Sequence, residues 1–390
     1  MKININREFF AQTIKDVNRV KKIAAYERFN CIKITVYENS INIIKNNGEL
    51  SISKTITSSK ENNLRVDEVG ETLIKADFLN NILNKLSGEN IGMAVDPNQN
   101  LLKINSNKAH FKLATLPSDH FFKISQAPLE NSFKIKCNKL TELVDNTLHC
   151  VSKEESRPAL TGIKFIAKGN KIKAVATDSI CFAQRTVELD NSLSDPLEFL
   201  IPGNNLKQII PLLNKDESET VNVGYTKKEN MIFFQTCNGI SIQSRLLECC
   251  YPNTSFVDNA VKNVKSSLKI GAKTLHDVLV RSTLTANKSQ NQSTKICLNE
   301  DNVKICNDNN DIGSFDEKLD GAIFRGKPMT ILLNPSNMIK GLVKLGHSEV
   351  EIDFQNETLP IVFFDAVENI KVKKEVNNSN LNLTVPLRSN

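Results

Sequence analysis

Three segments of this chain resemble one another: HFKLATLP ends at Pro117, SIQSRLLECCYP ends at Pro252, and NLTVPL carries Pro386. Those prolines stand 135 and then 134 residues apart. The openings repeat as well: Lys2-Ile3 precedes NREFFAQTIKDV, Lys134-Ile135 precedes KCNKLTELVDNTL, and Lys269-Ile270 precedes GAKTLHDVLVRSTL. Solenoid repeats run roughly 20–50 residues, so a period of this length is a whole domain. The 390 residues divide into 1–126, 127–257 and 258–390. A chain that states one domain three times builds a symmetric object.

The second repeat shows what each domain contains. NSFKIKC reads as a short strand, and NKLTELVDNTLHCV places Leu140, Leu143, Val144, Leu148 and Val151 at helical spacing behind Asn138 as an N-cap. LTGIKFIAKGNKIKAVATDSICFAQRTVEL alternates apolar and polar residues around a Gly169-Asn170 turn, the pattern of a hairpin. A second helix follows in IPGNNLKQIIPLLNK, with Leu206, Ile209, Ile210 and Leu213 on one face. Three strands with turns at Lys228-Glu229-Asn230 and Asn238-Gly239 close the repeat. The second helix recurs as KADFLNNILNKLSG (Leu79, Ile82, Leu83, Leu86) and as NPSNMIKGLVKLGH (Met338, Leu342, Leu345). Two helices cannot cover both faces of a sheet, so the expected class is α+β, with a helix pair on one face of antiparallel sheet in each repeat. The other sheet face should carry polar residues in alternation, as Lys33, Thr35 and Glu38 do.

Apolar residues at 40% and charged residues at 24% suffice for ordinary cores, built from Ile, Leu, Val and Phe because Trp is absent. Fifty Lys and Arg against 44 Asp and Glu leave a formal charge of +6, which alone proves no polyanionic partner. The nine cysteines form no CxxC pair, and Cys297 and Cys306 are wrongly spaced for a zinc ribbon or finger. They are expected as reduced, buried thiols in a cytoplasmic protein. MKININREFF has no apolar signal region, and no run approaches a membrane span.

The outward helix faces are basic. The first repeat offers Lys15, Arg19, Lys21, Lys22, Lys75 and Lys85, and the second Lys139, Lys153, Arg157, Lys207 and Lys215. The third offers Lys273, Arg281, Lys288, Lys340 and Lys344. Against them stand Glu8, Asp16, Asp77, Glu142, Asp145 and Asp277. A thin basic surface without aromatic interleaving suits sequence-independent contact with phosphates, and suits neither base readout nor single-strand stacking. Catalytic and cofactor motifs are missing: there is no GxxxxGK[ST], no GxGxxG after a strand, no GxSxG and no HExxH. Thr177-Asp178-Ser179 reads as a polar turn closing a buried strand. No catalytic residue, metal or cofactor is expected.

Several stretches resemble the bacterial DNA polymerase III beta subunit family, the sliding clamps, in wording nearest to those of low-GC Gram-positive bacteria. They are SRPALTGIKF with AVATDS, IPGNNL, SRLLECCYP and the terminal VPLR, and the resemblance spans the whole chain. It implies a head-to-tail homodimer whose six domains form a ring, helices lining the hole and sheets outside. Double-stranded DNA would thread the hole without sequence preference, past Lys21, Lys22, Lys75, Lys85, Lys139, Lys153, Arg157, Lys207, Lys273, Arg281, Lys340 and Lys344. Retention by linkage lets such a lining stay weak and slide. Phe111 and Leu284 fall in regions resembling the dimer interface.

The resemblance also implies a hydrophobic cleft between the second and third domains. It would capture short peptides of the polymerase III alpha subunit, the clamp loader and repair proteins. Mapped onto this chain it uses Leu160, Thr177, Ile180, Phe182, Pro252, Val257, Pro360, Val385, Pro386, Leu387 and Arg388. The chain departs from the family here: ATDSHRLA or ATDGHRLA is commonly read where this chain has ATDSICFA, so Ile180, Cys181 and Phe182 replace a His, an Arg and a Leu. Ser389 and Asn390 follow the terminal Arg388. Two family arginines fall on Ile23 and Asp77, Arg157 is retained, and a family glutamine falls on Glu154. The implied function is a processivity factor without an active site of its own. Two alternatives stay open at this point, an accessory clamp paralogue with altered partners and a clamp-shaped adaptor that does not encircle DNA.

Overall fold

The computed structural model describes residues 1–22, 30–96, 98–118, 121, 132–213, 216, 218–286, 292–309, 311–345, 348–368, 375–376 and 379–388. Ile23, Lys215, Lys288, Ser389 and Asn390, singled out above, lie outside the described residues.

In the first repeat β1 (Lys2–Asn6) runs into α1 (Arg7–Val17). Then β2 (Cys31–Val36), β3 (Ser40–Asn46), β4 (Leu50–Thr57), β5 (Arg65–Glu68) and β6 (Gly70–Lys75) lead to α2 (Ala76–Lys85). The meander β7 (Asn90–Asp96), β8 (Leu101–Ser106) and β9 (Ala109–Ala114) closes it. The second repeat runs β10 (Ser132–Lys136), α3 (Cys137–Thr147), β11 (Gly162–Thr177), β12 (Cys181–Pro202), α4 (Gly203–Ile209), β13 (Thr220–Thr226), β14 (Met231–Thr236) and β15 (Ile240–Arg245). A short helix α5 (Phe256–Lys262) leads to β16 (Ser266–Gly271), α6 (Ala272–Ser282), β17 (Thr294–Leu298), β18 (Lys304–Asn309), β19 (Gly313–Lys318), β20 (Ile323–Arg325) and β21 (Met329–Leu333). The third repeat ends with α7 (Pro335–Leu345), β22 (Glu349–Phe354), β23 (Ile361–Asp365) and β24 (Leu381–Thr384).

Helix α1 shows why these segments fold as they do. Phe10, Ala11, Ile14 and Val17 recur at helical spacing and are buried, while Gln12 and Lys15 point to solvent. Asn6 stops the strand and starts the helix, its Oδ1 accepting from the Phe9 amide at 3.0 Å. The strands bury alternate residues, as in β1 and β3.

The chain forms two compact units, Met1–Asn138 with Asn205–Leu246, and Lys139–Asn204 with Leu247–Asn390. Unit and repeat do not coincide, because sheets run on from one repeat into the next. In the first unit an eight-stranded sheet has the order β10-β13-β14-β15-β4-β3-β2-β6, so the second repeat's last strand pairs with the first repeat's β4. In the second unit a seven-stranded sheet has the order β11-β12-β24-β23-β22-β16-β20, so the third repeat's last strand pairs with the second repeat's β12. Ile242 stands opposite Ile52 in one joint and Phe182 opposite Leu383 in the other. Gly239 makes the first joint possible: its φ is +80°, and a Cβ there would lie 2.7 Å from the Thr55 carbonyl oxygen.

Two local expectations are corrected. Asn138 is not the cap of α3: the helix begins at Cys137, and the Asn138 Oδ1 is buried without a hydrogen-bond partner. The expected Gly169-Asn170 turn fits: Gly169 has φ +57°, the register of β11 against β12 shifts on both sides of it, and Lys173 beyond it lies within electrostatic reach of Lys164 and its partner Glu198. The next reversal comes at Asp178, whose Oδ1 accepts from the amides of Ile180 (2.9 Å) and Cys181 (2.7 Å), with Ser179 at φ +79°. The thiols are buried at Cys31, Cys137, Cys150 and Cys181 only; Cys237, Cys249 and Cys250 are exposed, and Cys297 and Cys306 are half-buried. Cys249 and Cys250 lie past the end of β15 at Arg245, outside any strand or helix.

Candidate functional site

The Asp178 turn and the last strand of the chain build a cavity of about 160 Å³ in the second unit. Leu160, Thr177, Ile180, Phe182, Pro252 and Val385 line it, joined by Ser179, Cys181, Phe256 and Leu383. The turn is held from within, the Thr177 hydroxyl donating to the Cys181 carbonyl at 2.7 Å. The final strand is held from both sides, since Val385 N donates to Ile180 O at 3.0 Å and Leu387 N to Leu332 O at 2.7 Å. Val257 is buried one layer beneath, in a cluster with Val175, Phe182, Val362, Phe364 and Leu383. Pro386 is buried, Pro360 and Leu387 are half-buried, and Arg388 is exposed; these four are not among the residues that line the cavity.

The cavity wall is apolar. Ile180 is 50% and Phe256 40% exposed at its mouth, and Phe256 meets Phe182 edge-on with ring centres 5.7 Å apart. A cation sits at the rim, where Arg157 Nη1 donates to the Ser179 hydroxyl at 3.2 Å. Burial pushes the Tyr251 phenol upward, and its hydroxyl donates to Val175 O at 3.4 Å. Burial pushes the Cys150 thiol up as well, with Cys181 beside it. His149 is pulled down to about 4 by burial and then by Lys344 and Lys340. A groove of this kind, with a strand as one wall and one deep apolar pocket, can hold the side chain of an extended peptide. Phe256 escaped the sequence reading although FVDNAVK buries Val257, Ala260 and Val261 at helical spacing, which is the signal that marks α5.

The basic helix residues divide by what holds them. Lys21, Lys22, Lys75, Lys85 and Lys207 are exposed in the first unit, and Lys153, Arg157, Lys273, Lys340 and Lys344 in the second. Lys139 instead lies back on β12, its Nζ donating to Glu188 O at 2.6 Å and 3.9 Å from Asp190. Arg281 makes two bonds to Glu317, at 2.8 and 2.6 Å. Lys22 pairs with Asp77. Exposed pairs of this type are worth only about 0–1 kcal/mol, so an anion can displace them. One feature runs against the sequence reading, which saw no aromatic among these lysines: Phe78 on α2 is 59% exposed and shares a recess with Lys22 and Lys75.

Two sheet edges carry apolar side chains. Phe111 is 38% exposed on β9, the edge of the sheet β5-β1-β7-β8-β9. It stands opposite the buried Ile104, so it belongs to the core face, and among the described residues no strand pairs beyond β9 to cover it. Leu284, just past α6, is 74% exposed. On the same unit β19 is the edge of β19-β18-β17-β21, with the half-buried Phe315 opposite the buried Asn307.

Three family models match in chain order: the N-terminal domain of the DNA polymerase III beta subunit over residues 1–125, its central domain over 134–253 and its C-terminal domain over 261–378. The chain belongs to the DNA polymerase III beta subunit family. The three matched ranges follow the three repeats. A beta sliding clamp of Streptococcus pneumoniae is 26% identical over 391 residues, covering 99% of each chain. One of Staphylococcus aureus is 25% identical over 365 residues, covering 93% of this chain and 95% of the relative. The crystal structure of the DNA polymerase III beta chain from S. pneumoniae superposes with a TM-score of 0.90 at 25% identity, over the full length of both chains. Among the described residues no helix is long and apolar enough to cross a membrane.

Proposed function

We propose that this chain is a DNA sliding clamp: two copies close head to tail around duplex DNA and tether the replicative polymerase, the beta subunit role in DNA polymerase III. The observation that carries the reading is the pairing rule of the sheets. The last strand of repeat two pairs with β4 of repeat one, and the last strand of repeat three pairs with the equivalent strand of repeat two, β12. Two strands are left over, β9 and β19, which are the last strand of repeat one and the counterpart of β4 in repeat three. The same rule joins β9 of one copy to β19 of another, and the other copy repeats the bond, which closes a two-fold assembly. Charge agrees: β9 and its turn carry Lys108 and Lys112, whereas β19 and its turn carry Asp311, Asp316 and Glu317 against the single Lys318. The apolar ends agree too, Phe111 on one side against Phe315 and Leu284 on the other.

The three domains of this reading are 1–126, 127–257 and 258–390. Exposed lysines and arginines on the helices supply weak, sequence-independent contact with the phosphates, and linkage rather than affinity holds the ring on DNA. The apolar cavity around Leu160, Ile180, Phe182 and Phe256 docks short peptides of the polymerase, the clamp loader and repair proteins. The protein is read as a cytoplasmic tether with no chemistry of its own.

The test is retention on nicked circular DNA after loading with a clamp loader and ATP. Protein that stays on the circle and leaves once it is cut confirms a closed ring. Protein that never loads, or stays equally on linear DNA, overturns the reading. Sedimentation supplies a second check, with an expected mass about twice 43.6 kDa.

A further inference from the structure

At the N-terminal end of α2 lies a recess of about 400 Å³ lined by Lys22, Asn30, Lys75, Asp77, Phe78 and Asn81. It belongs wholly to the first unit and is remote in sequence from the peptide cavity. Its floor is unusual for a helix face meant only for phosphates. Phe78 falls outside the apolar stripe of α2, whose buried members are Ala76, Leu79 and Leu83, and is 59% exposed. Lys22 and Lys75 line the recess with it, and a third lysine, Lys45, lies within electrostatic reach of Lys22 and Asp77. Asn30 and Asn81 add amides, and the Asn30 Oδ1 is buried with no hydrogen-bond partner.

Each part suits one piece of a nucleotide. An exposed aromatic ring stacks a base, and lysines beside it hold the phosphate. Amides that both donate and accept match a base edge. The volume is in the ~300–1,000 Å³ range of small-ligand sites, more than a lone phosphate needs. Bases inside a duplex are already stacked and cannot lie on a side-chain ring without being extruded. We infer that this recess takes one unstacked nucleotide of single-stranded DNA, its base on Phe78 and its phosphate held by Lys22 and Lys75. This rests on the reading that the helix faces meet DNA, and it adds to it a contact for the unpaired strand beside a primer end. Asp77 restrains the site, because its carboxylate already occupies Lys22.

The experiment is fluorescence anisotropy of the full-length protein with labelled oligo(dT) and with a duplex of equal length, at one fixed salt concentration. Phe78→Ala should weaken oligo(dT) binding at least fivefold and leave duplex binding within twofold, while Phe78→Tyr keeps both. Asp77→Asn should tighten oligo(dT) binding a few-fold by freeing Lys22. Since Phe78 is more than half exposed, its replacement leaves the fold intact. Oligo(dT) binding that is undetectable, or indifferent to Phe78→Ala, overturns the inference. So does an equal loss on duplex, or a Phe78 effect confined to binding another protein. A chain that fails to load on nicked circles yet keeps Phe78-dependent oligo(dT) binding removes the clamp reading and leaves the recess standing; normal loading with no Phe78 effect does the reverse.

Discussion

His149 shows how one side chain can make stability depend on pH. Its ring is half-buried, its Nδ1 has no hydrogen-bond partner, and Lys340, Lys344, Asp178 and Asn382 are the groups that act on it. Burial, then Lys344 and Lys340, lower it to about 4 from the ordinary 6.5. The unfolded chain therefore takes up the proton first as pH falls. The stabilisation is complete above about 6.5 and is lost between there and about 4, at most ~3 kcal/mol. Urea unfolding at pH 7.5 and pH 5 should show the loss, and His149→Gln should flatten it. The peptide cavity gives a second test at this scale. Ile180→Ala and Phe256→Ala remove partly exposed apolar surface, so each should weaken an apolar clamp-binding peptide by about tenfold, ~1–2 kcal/mol. Titration calorimetry reads the loss, and an unchanged affinity for both would remove the cavity from peptide docking.

Among the elements, β15 carries the joint between the first two repeats, and Gly239 is its weak point. Alanine there must adopt a positive φ with its Cβ against the Thr55 carbonyl oxygen, so Gly239→Ala should cost more than 1 kcal/mol. Thermal unfolding checks this, with Gly313→Ala as a control whose φ is also positive but whose Cβ would meet nothing. The helices and most strands were legible from periodicity because each buries one face locally: Leu79 and Leu83, or Met338 and Leu342, are buried as their spacing predicts. The Gly169-Asn170 reversal was legible as well, since it brings Lys173 within electrostatic reach of Lys164 and its partner Glu198.

For the molecule as a whole, the two open edges matter most. Phe111→Asp, or Leu284→Asp, places a carboxylate at an edge meant to be covered, and each should weaken dimerisation by roughly thirty- to a thousandfold, ~2–4 kcal/mol. Sedimentation would then show a folded species near 43.6 kDa. Persistence of the dimer in both variants would place the interface elsewhere. The threefold period pointed to a repeated α+β unit and the quoted motifs to the family, because repeated burial patterns and motifs are local properties of the chain. It could not reveal that a unit ends within α3 rather than between repeats, that Phe256 and Cys181 join Leu160 and Val385 around one cavity, or that Phe78 stands clear among lysines. Those depend on which strand takes the free edge of which neighbour, and an edge's hydrogen bonds are satisfied by any backbone of suitable register. The choice rests on side chains brought together from more than a hundred residues apart, such as Ile52 with Ile242, and only the folded chain puts them face to face.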